Sequence, residues 1–145
     1  MSKHLVIAID GPVGAGKSTV ARALAARLGF GYLDTGAMYR AVTLQAIRKG
    51  IDLADPAALT EAARSCRIDL EPGPDGPRVF LGGEDVSSAI RSLEVTNSAW
   101  HASQTPGVRR RMVELQRAVA ARGPIVAEGR DMGTVVFPDS PAKFY

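Results

Sequence analysis

Cysteine is nearly missing from this chain. Cys66 stands alone among 145 residues, so no internal disulfide can form and no cysteine-based metal site can be built. That usage fits a reducing compartment, and the cytoplasm is the expected location. Long apolar runs are missing as well. The run at residues 5–9 is far shorter than the roughly 20 residues of a membrane-spanning helix or the core of a secretory signal. No other segment does better, so no membrane partner is expected. There is no long basic run and no alternation of basic and aromatic residues, which leaves nucleic acid without support as a partner. Internal repeats and low-complexity tracts are absent too. His4 and His101 are the only histidines, and neither has a recognisable catalytic companion.

What is present is ordinary for a globular protein. Hydrophobic residues make up 46% and charged residues 23%, which excludes disordered and fibrous classes. The length corresponds to one domain or slightly more. The net charge of +3 is compatible with an anionic small ligand without selecting one.

The pattern along the chain alternates strands and helices. "HLVIAID" is a β-branched apolar run bounded by Gly11 and reads as a buried strand. Residues 17–28 are helix formers, with Val20, Leu24 and Leu28 on one face and Gly29 as the C-terminal cap. "GYLD" is a second strand. Asp34 or Thr35 caps a helix reaching about Lys49, and Asp55-Pro56 starts another reaching about Cys66. "RIDLEP" and "RVFLGG" then alternate apolar and polar around "GPDGP", a hairpin with one wet face. Helical texture returns after Ser92. Thr105-Pro106 opens a long helix with Val108, Met112, Leu115 and Val119 in a stripe, ended by Gly123-Pro124. "IVAEG" is a buried strand and "AKFY" begins another. This rhythm predicts a parallel sheet with helices on both faces.

Three stretches carry chemistry. In "IDGPVGAGKSTVA", Gly11, Gly16, Lys17 and Ser18 fit G-x-x-x-x-G-K-[ST] between a strand and a helix. Backbone N–H groups and the helix N-terminus can converge on phosphate oxygens. Lys17 would reach the terminal phosphates, and the Ser18 hydroxyl would hold Mg²⁺. Switches, motors and small-molecule kinases share this cradle, so it does not reveal the fate of the phosphate. In "LDTGAMYRA", Thr35 offers a hydroxyl, Gly36 close backbone access, Tyr39 an aromatic face and Arg40 a bidentate fork for an oxyanion. Taken alone, the stretch reads better as a capped helix with a solvated arginine. In "VAEGRDMGTVVFP", Glu128, Arg130 and Asp131 crowd one loop at the carboxyl end of a strand. That is where open parallel sheets place ligands, although a surface ion pair would have the same residues.

Together "GPVGAGKST", "LDTGAMYRA", "PGVRRRMVELQR" and "EGRDMGTVVFPDSPAKFY" resemble bacterial cytidylate kinases, in the same order and at similar spacings. The resemblance spans the whole chain; "GRDMGTVVFPD" is its most specific part and argues against other P-loop small-molecule kinases. It implies an α/β fold, a P-loop NTPase-type parallel sheet with flanking helices and a small inserted α+β monophosphate-binding subdomain. The expected division is residues 1–49 and 93–145 for the core and 50–92 for the insert. It implies ATP-dependent phosphorylation of CMP and dCMP by direct in-line transfer, with Mg²⁺ as cofactor and ATP and CMP or dCMP as the small-molecule partners. Full-length members would act as monomers. Gly11, Pro12, Val13, Gly14, Ala15, Gly16, Lys17, Ser18 and Thr19 would bind ATP, with Ser18 toward the metal. Thr35, Gly36, Tyr39, Arg40, Arg109, Arg130 and Asp131 would bind CMP, and Lys17, Arg40 and Arg130 would be catalytic. Arg109 and Asp131 would read the base: a carboxylate accepts from the cytosine amine and a guanidinium donates to the ring acceptors. Uracil would set a carbonyl against Asp131. The acceptor is already a phosphate oxyanion, so no general base is required, and catalysis reduces to positioning and charge neutralisation.

Two departures accompany the resemblance. Trp100 stands where the family usually has a serine near the base, which shifts that contact to a neighbour such as Ser98 or Ser103 or weakens it. The family continues beyond "KFY" with a helix, an arginine-rich lid, a strand and a closing helix. An alternative expectation is therefore a nucleotide-binding fragment, inactive or weakly active, lacking the lid. Arg110 and Arg111 are expected at the surface.

Overall fold

A computed structural model describes residues 4–12, 16–71 and 78–145. These residues fall into two compact units. One combines the described residues up to 35 with 114–145; the other comprises 36–71 and 78–113.

The first unit is built on a parallel sheet. Its strands are β1 (Val6–Asp10), β2 (Gly31–Asp34), β6 (Ile125–Gly129) and β7 (Ala142–Phe144), ordered β2-β6-β1-β7. β1 pairs with β6 from Val6↔Ile125 to Asp10↔Gly129, and β2 pairs with β6 up to Asp34↔Glu128. The carboxyl ends of β1, β2 and β6 therefore align. Val6, Ile7, Ala8 and Ile9 are all buried, as are Ile125, Val126, Ala127 and Glu128, the continuous burial that a covered parallel sheet requires.

Helix α1 (Lys17–Leu28) has the predicted bounds, and Gly29 closes it at φ 68° with its N–H on the carbonyls of Ala25 and Ala26. The buried face differs from the expected one. Ala21 and Ala25 pack with Ile7, Ile9 and Val126, Leu24 is only partly covered, and Val20 and Leu28 are 58% and 46% exposed. Small side chains let the helix lie close to the sheet, so the alanine stripe, one position over from the bulky one, faces inward.

In the second unit, α2 (Thr35–Arg48) contributes Gly36 onward, and α3 (Pro56–Arg64) is capped by the Asp55 carboxylate, which accepts from Ala57 and Ala58 N–H. β3 (Ile68–Glu71) and β4 (Arg78–Leu81) form the predicted antiparallel pair. Ile68 and Leu70 oppose Leu81 and Val79 on one face, while Arg78 lies over the Phe80 ring on the other. The turn between them lies outside the described residues. A third strand, β5 (Glu84–Asp85), was not anticipated. The hydroxyl of Ser92 caps α4 (Leu93–Ser98), which is followed by α5 (Trp100–Gln104) and α6 (Pro106–Ala120). A Cβ on Gly107 would run into the Thr60 side chain, so the first turn of α6 lies against α3. Along α6, Val108 and Met112 are buried as expected, but Leu115 and Val119 are half-covered and the polar Gln116 is buried in their place. Positions 108, 112 and 116 run straight down one side of the helix.

Candidate functional site

The carboxyl end of β1 delivers the chain to Gly11, which is buried. Val13, Gly14 and Ala15, expected to bind ATP, lie outside the described residues. Gly16 ends the cradle at φ 78°, a left-handed conformation that glycine adopts without strain. Among the described residues no side chain caps α1, and its first turn holds no acidic residue, an arrangement that leaves its positive dipole end to an anion. Lys17 Nζ donates to the Pro12 carbonyl at 3.4 Å, folding back over the cradle. Pro12 and Thr19 are exposed.

The organising residue is Glu128, near the end of β6 and only 3% exposed. The Ser18 hydroxyl donates to its Oε1 at 2.6 Å, and the Tyr32 phenol donates to the same oxygen. Lys17 Nζ lies 4.0 Å from Oε2. Burial, the charge of Asp34 and the bond to Glu128 push the Tyr32 phenol above its usual range, so it remains a donor at neutral pH. Ser18, Glu128 and Lys17 thus place two hard oxygen donors and one cation where a phosphate-bound divalent cation is usually held, by a carboxylate and a hydroxyl with phosphate oxygens. The donor set fits Mg²⁺. Among the described residues no cluster of three histidine, cysteine or acidic side chains offers a different metal site.

The loop after β6 is tied down at several points. Thr35, buried at the junction of β2 and α2, donates its hydroxyl to the Glu128 carbonyl at 2.9 Å. A Cβ on Gly129 would collide with that hydroxyl, so the glycine is what lets the two segments meet. Arg130 and Asp131 follow, both exposed. Asp131 is the one described non-glycine residue with positive φ, at 60°. A π-helical turn, Met132–Val136, comes next, and Arg117 donates to the carbonyls of Val136 and Val135 at 3.1 Å each.

The remaining expected residues belong to the second unit. Gly36, Tyr39 and Arg40 occupy the opening turns of α2 and are half-buried. Arg109, in the first turn of α6, is half-buried and donates from Nη1 to the Ser103 carbonyl at 3.1 Å. Ser103 also donates its hydroxyl to the Trp100 carbonyl at 2.9 Å. Trp100 is 59% exposed and stacks on His101, with ring centroids 3.7 Å apart. Arg110 is exposed as expected, whereas Arg111 is half-buried and its charge acts on the Cys66 thiol, which burial nonetheless pushes up to about 11.

Sequence reading named Glu128 only as part of a crowded loop and passed over Tyr32 and Asp10. An acidic residue closing the strand beside the cradle strand is the available signal for Glu128. Tyr32 carries no such signal, because its role depends on the β2-β6 pairing.

A family profile described as cytidylate kinase matches residues 7–145. A cytidylate kinase of Pelotomaculum thermopropionicum is 56% identical over 96% of this chain and 62% of its own length. That of Mycolicibacterium paratuberculosis is 54% identical over 100% of this chain and 64% of its own. That of Limosilactobacillus fermentum is 50% identical over 100% and 64% respectively. The chain thus spans a little under two thirds of the length of these relatives.

Proposed function

Because the chain belongs to the cytidylate kinase family, we propose that it binds ATP and a cytidine monophosphate and serves phosphoryl transfer between them. The bond between the γ-phosphorus and the bridging oxygen of ATP breaks, an acceptor phosphate oxygen forms the new bond, and ADP and CDP or dCDP leave. The observation that carries this reading is the 2.6 Å contact between Ser18 and the buried Glu128, with Lys17 beside them.

Ser18 and Glu128 would hold Mg²⁺, which when bound with ATP supplies charge neutralisation at the β- and γ-phosphates. Residues 11–19 wrap the phosphates, and Lys17 adds a cation at the terminal ones. Thr35, Gly36, Tyr39, Arg40 and Arg130 serve the acceptor: the two guanidinium groups grip its phosphate, and the Thr35 hydroxyl, which donates its proton to the Glu128 carbonyl, can accept only from a donor group of the nucleotide, such as a ribose hydroxyl or the base amine. Arg109 and Asp131 read the base. Residues 50–92 form the acceptor subdomain. A cytoplasmic monomer goes with this reading, and no described helix is long and apolar enough to cross a membrane. A second reading is a nucleotide-binding piece with little turnover. Charge-stabilising groups supplied from outside such a piece are worth on the order of 10³–10⁵ in rate.

ADP release with CMP, dCMP, UMP and AMP as acceptors tests the proposal, on this chain and on one extended to its relatives' length. CMP and dCMP are expected to lead. If UMP or AMP outpace CMP on the extended chain, the base assignment is wrong. Nucleotide binding by this chain without turnover selects the second reading. Asp131→Ala is expected to narrow the preference for CMP over UMP by about tenfold while leaving ATP affinity within about twofold, as for loss of one base-reading contact. Equal losses would make Asp131 structural.

A further inference from the structure

Asp10 ends β1, immediately before the cradle. Its Oδ1 accepts the Met132 N–H at 2.6 Å and its Oδ2 accepts the Gly133 N–H at 2.9 Å. Both N–H groups open the π-helical turn that follows Asp131. The carbonyl of Asp131 accepts from Val135 and Val136, and that of Met132 from Phe137, so the turn is a closed hydrogen-bonded unit seated on one carboxylate. Space around it is limited. A Cβ on Gly133 would meet the Lys143 side chain at 3.1 Å and Asp10 Oδ2 at 3.4 Å. At the other end, Gly129 pairs with Asp10 across the sheet and abuts the Thr35 hydroxyl. Arg130 and Asp131 therefore lie between two fixed points, and Asp131 takes a left-handed conformation, which aspartate enters more readily than most non-glycine residues.

We propose that Asp10 is a positioning residue for acceptor recognition. Its carboxylate, attached to the strand that carries the phosphate cradle, sets the turn that presents Arg130 and Asp131. The two halves of the substrate apparatus in this unit are thereby linked through one side chain. The proposal rests on the reading above that Arg130 and Asp131 contact the acceptor. Two successive N–H donors on one carboxylate are charge-assisted bonds. An asparagine of the same shape keeps one acceptor but turns an NH₂ toward the other N–H, donor against donor.

The test compares wild type with Asp10→Asn on this chain. Amide exchange at Met132 and Gly133 is expected to be slow in the wild type, to slow further when a non-hydrolysable ATP analogue with Mg²⁺ occupies the cradle, and to quicken about tenfold in the variant, the scale of a lost charge-assisted bond. The dissociation constant for CMP should rise about tenfold and the CMP-to-UMP preference should shrink, while that for ATP stays within about twofold. Parallel loss of ATP and CMP binding would reduce Asp10 to a structural role and overturn the proposal, as would unchanged CMP binding. If Asp10→Asn does not fold, exchange in the wild type decides: no response at Met132 and Gly133 to the ATP analogue overturns it. If the wild type binds no CMP, the acceptor reading fails, and the exchange data still report whether Asp10 links the turn to the cradle.

Discussion

At the scale of single residues, the outcome turns on one buried carboxylate. Glu128 is surrounded by hydroxyl donors and faced by an ammonium, an arrangement that offsets the desolvation of a buried charge. If its purpose is to hold a phosphate-bound cation, Glu128→Gln should weaken ATP binding in the presence of Mg²⁺ by on the order of 10–100-fold, the usual cost of disturbing a metal's supporting shell. Binding in EDTA should change by no more than about twofold, since the cradle's own N–H groups are untouched. Calorimetric titration of ATP under the two conditions makes the comparison. Equal weakening in both would mean that Glu128 only supports the fold of the cradle. Lys17, Ser18 and Arg130 stand out in the sequence because the G-x-x-x-x-G-K-[ST] pattern and the "GRD" triplet are contiguous. The contact between Ser18 and Glu128 joins residues 110 positions apart, and no local pattern encodes it.

At the scale of elements, boundaries followed local chemistry. α3 begins at Pro56 because the Asp55 carboxylate satisfies the N–H groups of Ala57 and Ala58 and proline needs no N–H partner at the first helical position. Asp55→Ala should lower unfolding stability by about 1 kcal/mol, read as a shift in urea midpoint with unchanged slope. A shift near zero would mean that solvent replaces the cap. Faces were less legible than boundaries. In α1 the spacing of Val20, Leu24 and Leu28 is helical, yet Ala21 and Ala25 are the buried pair, because what a helix turns toward a sheet depends on how closely it must approach. In α6 the same difficulty put Gln116 inside and left Leu115 half-covered. β5 has only two residues, too few for any periodicity to register.

At the scale of the whole molecule, each compact unit contains a group that burial holds in its neutral form. Tyr32, in the first, is raised above its ordinary 10.0 by burial, then by the charge of Asp34 and its bond to Glu128. Cys66, in the second, is raised from 9.0 to about 11 by burial, against the opposing charges of Lys49 and Arg111. For a group whose folded pKa exceeds its unfolded one, the stabilising contribution is complete below the unfolded value and declines as pH rises past it. These two groups should therefore contribute no slope to stability between pH 6 and 8 and a falling one from about pH 9 upward, with the Cys66 share exhausted near pH 11 and the Tyr32 share still declining there. Urea midpoints across pH 7–11 should show the decline, and the double variant Tyr32→Phe/Cys66→Ala should flatten it. A decline of the same size in the variant would assign it to other groups.

The sequence by itself determined most of the alternation of strands and helices, the caps at Asp55 and Gly29, and the family, because each rests on residues that are neighbours in the chain: an alternating pattern, a capping carboxylate, a closing glycine, contiguous motifs. The tertiary structure decided what stands beside the cradle. Parallel pairing of β1 with β6, across more than a hundred intervening residues, carries Glu128 to Ser18 and seats Met132 and Gly133 on Asp10. Side chains that meet only when distant strands align leave no trace in local spacing, so Glu128 beside Ser18 and Asp10 beneath the Met132–Val136 turn became visible only once the sheet had formed.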